Sequence, residues 1–258
     1  MSRVSEISLN KVPEVTLAFW VIKIAATTMG ETAADAVSMT MHLGYAIGTA
    51  IFFTFFMLTV AAQVTAKSFH PFLYWAVIVA TTTVGTTMAD YADRSLGIGY
   101  IGGSLTLFTM LMLVLGIWRF TIGSVAVNNI TSARVEMFYW TTILFSNTLG
   151  TALGDFLADD SGLGFGGGAL VFAGALVLVA AAYFYTRASH TSLFWMAFIL
   201  TRPLGATLGD LLTKPHADGG FNLSRISSSL IIAIFIFTCI LFTPQRAGRH
   251  PGHQEASP

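Results

Sequence analysis

Apolar positions run along this chain in eight long blocks, at about 14–38, 44–66, 71–93, 100–123, 136–158, 165–187, 190–213 and 226–243, parted by short polar or glycine-rich breaks. A helix needs about 20 residues to cross a hydrocarbon core about 30 Å thick. A transmembrane strand needs only about 10, so the block lengths exclude a barrel. The pattern therefore predicts an all-α integral membrane protein with eight transmembrane helices over residues 14–243. The polar segment 1–13 precedes them, and the Pro/Gly-rich tail 244–258 is expected to be disordered.

Polar residues recur inside these blocks with a fixed register. Trp20, Trp75, Trp140 and Trp195 are each followed ten residues later by a glycine (Gly30, Gly85, Gly150, Gly205), and five residues after that by an aspartate (Asp35, Asp90, Asp155, Asp210). The pattern W-x9-G-x4-D thus occurs four times in a chain with five tryptophans. Each copy leads into a glycine-aromatic entry to the next helix, at Gly44, Gly99, Gly164 and Gly220. One repeat is a two-helix hairpin, with boundaries at about 14–66, 71–123, 136–187 and 190–243. Two spans per unit make all four copies point the same way across the membrane.

On these residues the chain resembles a family of bacterial membrane-anchored proteins built from four tandem copies of a repeat of unknown function, each with two spans and a characteristic tryptophan. The resemblance covers residues 14–243. It implies the architecture and a bacterial inner membrane, and it carries no activity.

Composition agrees with a membrane setting: 258 residues, 54% hydrophobic, 10% charged, mean hydropathy +0.71. A formal net charge of zero leaves no nucleic-acid footprint. The single Cys239 allows neither a disulfide nor a thiolate metal cluster within one chain. The opening MSRVSEISLNKVPEV lacks a signal-peptide pattern and is expected to be retained. Basic residues of the short loops favour the side of the N-terminus (Arg3, Lys11, Lys67, Arg119, Arg134, Arg187, Arg246, Arg249) over the other side (Arg94, Lys214, Arg225), which predicts cytoplasmic termini. The tryptophans then read as anchors at the cytoplasmic interface.

The costly residues are the charged ones inside the blocks. A charge at the bilayer centre costs roughly 2.5–3.5 kcal/mol on insertion scales. Relative to each repeat glycine, positions −3, +1, +5 and +9 stack on one helix face. They read Thr27, Glu31, Asp35, Met39; Thr82, Thr86, Asp90, Arg94; Asn147, Thr151, Asp155, Asp159; and Arg202, Ala206, Asp210, Lys214. Hydrocarbon cannot accept such a stripe, so the four faces must turn inward.

Glu31, Asp35, Asp90, Asp155 and Asp210 are candidate metal ligands, with Asn147 and Thr151 as further oxygen donors to a bound ion. Arg202 and Lys23 would compensate charge. Arg202 lies about 10 Å past Trp195 and one turn shallower than Glu31, so an Arg202–Glu31 pair is expected. Lys23, three residues past Trp20, can instead reach the surface by snorkelling. The repeat glycines read as close-packing positions. The aspartates have a structural alternative, accepting backbone N–H bonds at the start of the next helix.

Five column acids against two deep bases select cations, and oxygen ligands suit the Mg2+, Mn2+ and Fe2+ class. Met29 and Met88 lie near the column and would tilt the choice towards Mn2+ or Fe2+. The expected function is a secondary transporter of a divalent metal cation, with proton coupling through a carboxylate as an option. The alternatives are an organic-cation carrier using Tyr45, Tyr100 and Phe165 for cation–π contact, and a noncatalytic scaffold whose aspartates lock hairpins. His42, His70 and His190 fall near helix ends, His250 and His253 in the tail. No zincin, phosphate-loop, nucleophile-elbow or haem-attachment motif is present, so no enzyme activity is expected. Beyond a divalent cation no cofactor is implied, the partners are that cation and the bilayer, and oligomeric state is left open.

The topology has a direct check. In a Cys239→Ser background, a cysteine placed at Ser5 should be labelled from the cytoplasm and one at Ser161 from outside. Outward labelling at position 5 overturns it.

Overall fold

The computed structural model describes residues 11–127, 130 and 132–248. The expectations about Arg3, Arg249, His250, His253 and residues 1–10 lie outside them. Eight α-helices and no β-strand occur among the described residues: α1 (Leu17–Asp35), α2 (Gly44–Thr65), α3 (Pro71–Asp90), α4 (Gly99–Ile122), α5 (Ala133–Asp155), α6 (Gly164–Tyr185), α7 (His190–Thr213) and α8 (Arg225–Phe242). Five of these, α2, α3, α4, α6 and α8, are long and apolar enough to cross a membrane, which marks a membrane protein.

The odd-numbered helices close a four-membered inner ring, α1 against α3, α3 against α5, α5 against α7 and α7 back against α1. Each even-numbered helix packs chiefly on the inner helix of the following repeat, α2 on α3, α4 on α5, α6 on α7 and α8 on α1. Polarity explains the division. The column residues Glu31, Asp35, Asp90, Asn147, Thr151, Asp155, Arg202 and Asp210 are all buried, whereas α2, α4, α6 and α8 expose rows of Leu, Ile and Phe.

Two sets of contacts tie the ring, and each repeats from copy to copy. At one end, Phe19 packs on Trp75, Tyr74 on Trp140, Tyr139 on Trp195 and Phe194 on Trp20, with ring centroids 5.5, 5.6, 6.2 and 5.7 Å apart. Trp75, Trp140 and Trp195 are buried and Trp20 half-buried. The tryptophans thus close the interior of the ring instead of anchoring it in an interface, because each indole has a neighbouring repeat to pack on. Two of their N–H groups bond to protein as well, Trp75 donating to Gln245 and Trp195 to the Val125 carbonyl, while that of the buried Trp140 has no hydrogen-bond partner among the described residues.

Halfway along, each repeat glycine seats the residue at position −3 of the next copy. A Cβ on Gly30 would run into the Thr82 side chain, one on Gly150 into the stem of Arg202, and one on Gly205 into the Thr27 side chain. On Gly85 it would lie 3.0 Å from the Thr148 backbone and 3.1 Å from that of Asn147. The hydroxyls so admitted bond across the seams, Thr82 to the Ala26 carbonyl and Thr27 to the Thr201 carbonyl.

Just past the aspartates of repeats one to three the helix widens into a π-helical turn, Ala36–Thr40, Tyr91–Ser95 and Phe156–Asp160. The fourth copy lacks it: Lys214 is extended, followed by Pro215. At the tryptophan end the two described chain ends meet, Pro13 bridging Ala247 and Glu14 N–H donating to the Arg246 carbonyl. Residues 244–248, which the sequence places in a disordered tail, are therefore docked, with Gln245 under Trp75.

The glycine seats are testable. Gly205→Ala places a Cβ 2.8 Å from the Thr27 backbone carbon, and should cost about 1–3 kcal/mol as overpacking. Gly116→Ala and Gly174→Ala meet nothing within 4 Å and should cost nothing. Thermal unfolding midpoints of the detergent-purified variants check the contrast.

Candidate functional site

The inward faces stack into layers. At the +1 level Arg202 reaches from α7 across the axis to the three other repeats, its Nη2 donating to Glu31 Oε2 at 3.0 Å, to Thr151 Oγ1 at 2.6 Å and to Thr86 Oγ1. Thr86 in turn donates to Glu31 Oε2 at 3.3 Å. The fourth repeat has Ala206 at this level. The Arg202–Glu31 pair expected from the register is present, and both side chains are essentially inaccessible.

At the next level all four aspartates are buried, and a basic residue ties them in twos. Lys214 bridges Asp210 at 3.1 Å and Asp35 at 3.2 Å, with Arg225 Nε 3.4 Å from the same Asp35 oxygen. Arg94 bridges Asp90 at 3.0 Å and Asp155 at 3.2 Å, with Asp159 at 3.7 Å. Arg94 and Lys214 each stand one turn past the aspartate of their own helix and reach back to it. The two clusters are counterparts, one joining repeats four and one, the other repeats two and three.

These contacts revise the expected charge balance. A five-to-two excess of acids leaves Arg94, Lys214 and Arg225 in a loop, but all three turn into the column, because the aspartates there have no other cations at their level. With Asp159 added, six acids face five bases. The five expected metal ligands do not share one site either. Glu31, Asp35 and Asp210 each offer an oxygen within 4.8 Å of the others, while Asp90 and Asp155 belong to the Arg94 cluster. Among the described residues the aspartates take these cations as partners and no backbone N–H of the following helix, so hairpin locking in that form is absent.

Nearer the tryptophan end, Lys23 does not snorkel. It is fully buried, 3.4 Å from Asn147 Oδ1 and 4.1 Å from the centre of the Phe198 ring. Asn147 donates to Thr81 at 3.0 Å, so it serves this layer and not the carboxylate triad. Met29 and Met88 pack against the apolar core, away from any ligand role. His70 precedes α3 and bonds Ser68, His190 stacks on Tyr183, and His42 occupies a left-handed turn.

The Arg202–Glu31 pair invites a double-mutant cycle. Removing one partner of a buried pair costs about 3–5 kcal/mol, because the other charge is left uncompensated. Arg202→Met alone should cost more stability than Arg202→Met combined with Glu31→Gln. Additive losses would show that the two are not coupled.

Four consecutive segments, residues 18–69, 73–123, 138–189 and 193–246, match one family model, the Repeat of Unknown Function (DUF347). No curated protein and no solved structure matches the chain. The matched segments coincide with the four hairpins of the ring, and the chain belongs to this repeat family.

Proposed function

We propose that the chain is an eight-span carrier for a divalent metal cation of the Mn2+, Fe2+ and Mg2+ class, with Glu31, Asp35 and Asp210 as its ligands, in a bacterial inner membrane with both termini cytoplasmic. The observation that carries the reading is the triad itself: three buried carboxylates from α1 and α7 with oxygens within 4.8 Å of one another. Octahedral Mg2+ or Mn2+ at about 2.1 Å from its ligands brings neighbouring oxygens to about 3–4 Å, a small contraction from this spacing. Hard oxygen ligands suit these ions.

Shielding supports eight spans. The inner helices have 19, 20, 23 and 24 residues, roughly 28–36 Å in length, and pack along outer helices that are apolar enough to span. The charges of α1 and α7 and Asp155 of α5 face the column, while Arg134 and Glu136 stand in the first turn of α5, so the middle of each inner helix turns no charge outward. The chain ends paired at Pro13 and Ala247 suit an even number of crossings.

Lys214 acts in this scheme as a tethered stand-in for the substrate. Its ammonium neutralises Asp35 and Asp210 when no ion is present and must leave their oxygens when a divalent cation arrives. Its position supports such a swing, since α7 ends at Thr213 and Pro215 holds the chain extended behind it. Protons compete for the carboxylates that Lys214 releases, a route to proton coupling. On the opposite side Arg94 lies 5.8 Å from the centre of the Tyr100 ring, and Tyr100 donates to Asp159 at 3.2 Å. That aromatic-carboxylate box favours an organic amine as the second reading, with the amine taking the place of Arg94.

Metal binding to the purified protein and uptake into proteoliposomes test the proposal. Asp35→Asn, Asp210→Asn and Glu31→Gln should each weaken Mn2+ binding about tenfold or more, equivalent to about 1.4 kcal/mol, and Asp90→Asn and Asp155→Asn much less. Lys214→Met, which removes the competing charge, should tighten binding. Folded triad variants that bind and transport every tested metal as the parent does would sink the reading. Binding of alkylamines lost in Asp155→Asn would favour the second.

A further inference from the structure

Two fully buried cations share the half of the column nearest the tryptophans, and one carboxylate answers them. Arg202 is saturated along one edge only. Its Nη2 meets Glu31, Thr86 and Thr151, while Nε and Nη1 have no hydrogen-bond partner among the described residues, although the side chain has no exposure to solvent. Buried guanidinium N–H groups without acceptors are costly, and they call for a partner.

Lys23 is the second cation. No carboxylate of the described residues lies within 4.0 Å of it, and its polar contact is the long bond to Asn147 Oδ1. The face of Phe198 lies under the Lys23 Nζ at 4.1 Å. Phe198 and Arg202 are one turn apart on the same face of α7, so the ammonium over the one lies next to the guanidinium of the other. Glu31 balances one of the two charges, and the second has no counter-charge at this level.

We propose that Lys23 and the Nε/Nη1 edge of Arg202 bind a small monovalent anion of the chloride class, separate from the carboxylate triad. Ile78, Ile143 and Phe198 hold the position of Lys23 in the other three repeats, three residues past the repeat tryptophan, and all are fully buried, so the layer around Lys23 is otherwise apolar. An apolar layer suits a halide better than a polyatomic anion that needs many donors. Asn147 orients the Lys23 side chain: one N–H of its amide donates to Thr81, which turns its oxygen towards Lys23.

The test uses the purified full-length protein. At constant ionic strength, chloride and bromide should raise the unfolding midpoint in a saturable way, and gluconate and sulfate should not. Crystals grown in bromide should show an anomalous peak within hydrogen-bonding distance of Lys23 Nζ and the Arg202 guanidinium. Lys23→Gln should weaken halide binding roughly tenfold or more, the loss of a charge-assisted hydrogen bond. The proposal is overturned by a parent protein indifferent to halide, by a bromide peak elsewhere, or by a folded Lys23→Gln variant with unchanged halide affinity. If Lys23→Gln fails to fold, the bromide position in the parent decides. Asp210→Asn should keep the halide response while losing Mn2+ binding measured in gluconate, so the two sites stand or fall separately.

Discussion

A guanidinium in the middle of an apolar bundle is the constraint around which the rest of this molecule is arranged. Arg202 can sit there because Gly150 leaves room for its stem and because three other helices each bring an oxygen to the same nitrogen. Those oxygens arrive at one height only if the inner helices keep a common register, and the aromatic ring and the glycine seats fix that register. Cutting any seam would leave a charge in a low-dielectric interior without its partner, a larger penalty than the loss of a few packing contacts.

The same reasoning separates the inner from the outer helices. A stripe that holds Lys23, Glu31 and Asp35 on α1, or Arg202 and Asp210 on α7, can be sheltered only by another copy of itself, so the polar helices gather. The outer helices then supply the apolar cover, and their own sequences need little beyond being greasy and helical. Apart from the connection after the fourth aspartate, the differences that matter lie in the column. Glu31, Asn147, Arg202 and Lys23, with Arg94 and Lys214 one turn past their aspartates, convert a nearly fourfold frame into a layered interior, with paired charges at the aspartate end and two basic side chains nearer the tryptophans.

Much of this arrangement is legible in the amino-acid sequence, because it rests on periodicity. The repeat register, the inward stripe and the Arg202–Glu31 contact all follow from counting in turns of a helix. Arg94 and Lys214 are harder to recognise as column residues, although both stand in the stripe at position +9. Each falls in a polar stretch past the last apolar residue, where sequence does not distinguish a loop lysine from one that folds back four residues onto an aspartate. The tryptophans mislead for a related reason. An indole at the start of a membrane helix looks the same whether lipid or another helix lies beside it, and only closure of the ring decides. The pairing of each outer helix with the next repeat is also hidden, since those helices are apolar all round and name no preferred face.

That offset pairing gives the molecule an unusual kind of continuity. Each outer helix roofs the inner helix of its successor, and α8 roofs α1, so no repeat is finished by its own residues. A lone hairpin would leave its inner helix without a roof and its outer helix without anything to cover. Such a unit is stable only in the company of copies, whether on separate chains or on one. The tandem chain reads as a covalent record of an assembly, and the joint between its last and first repeats is built from the same aromatic and glycine contacts as the joints inside it.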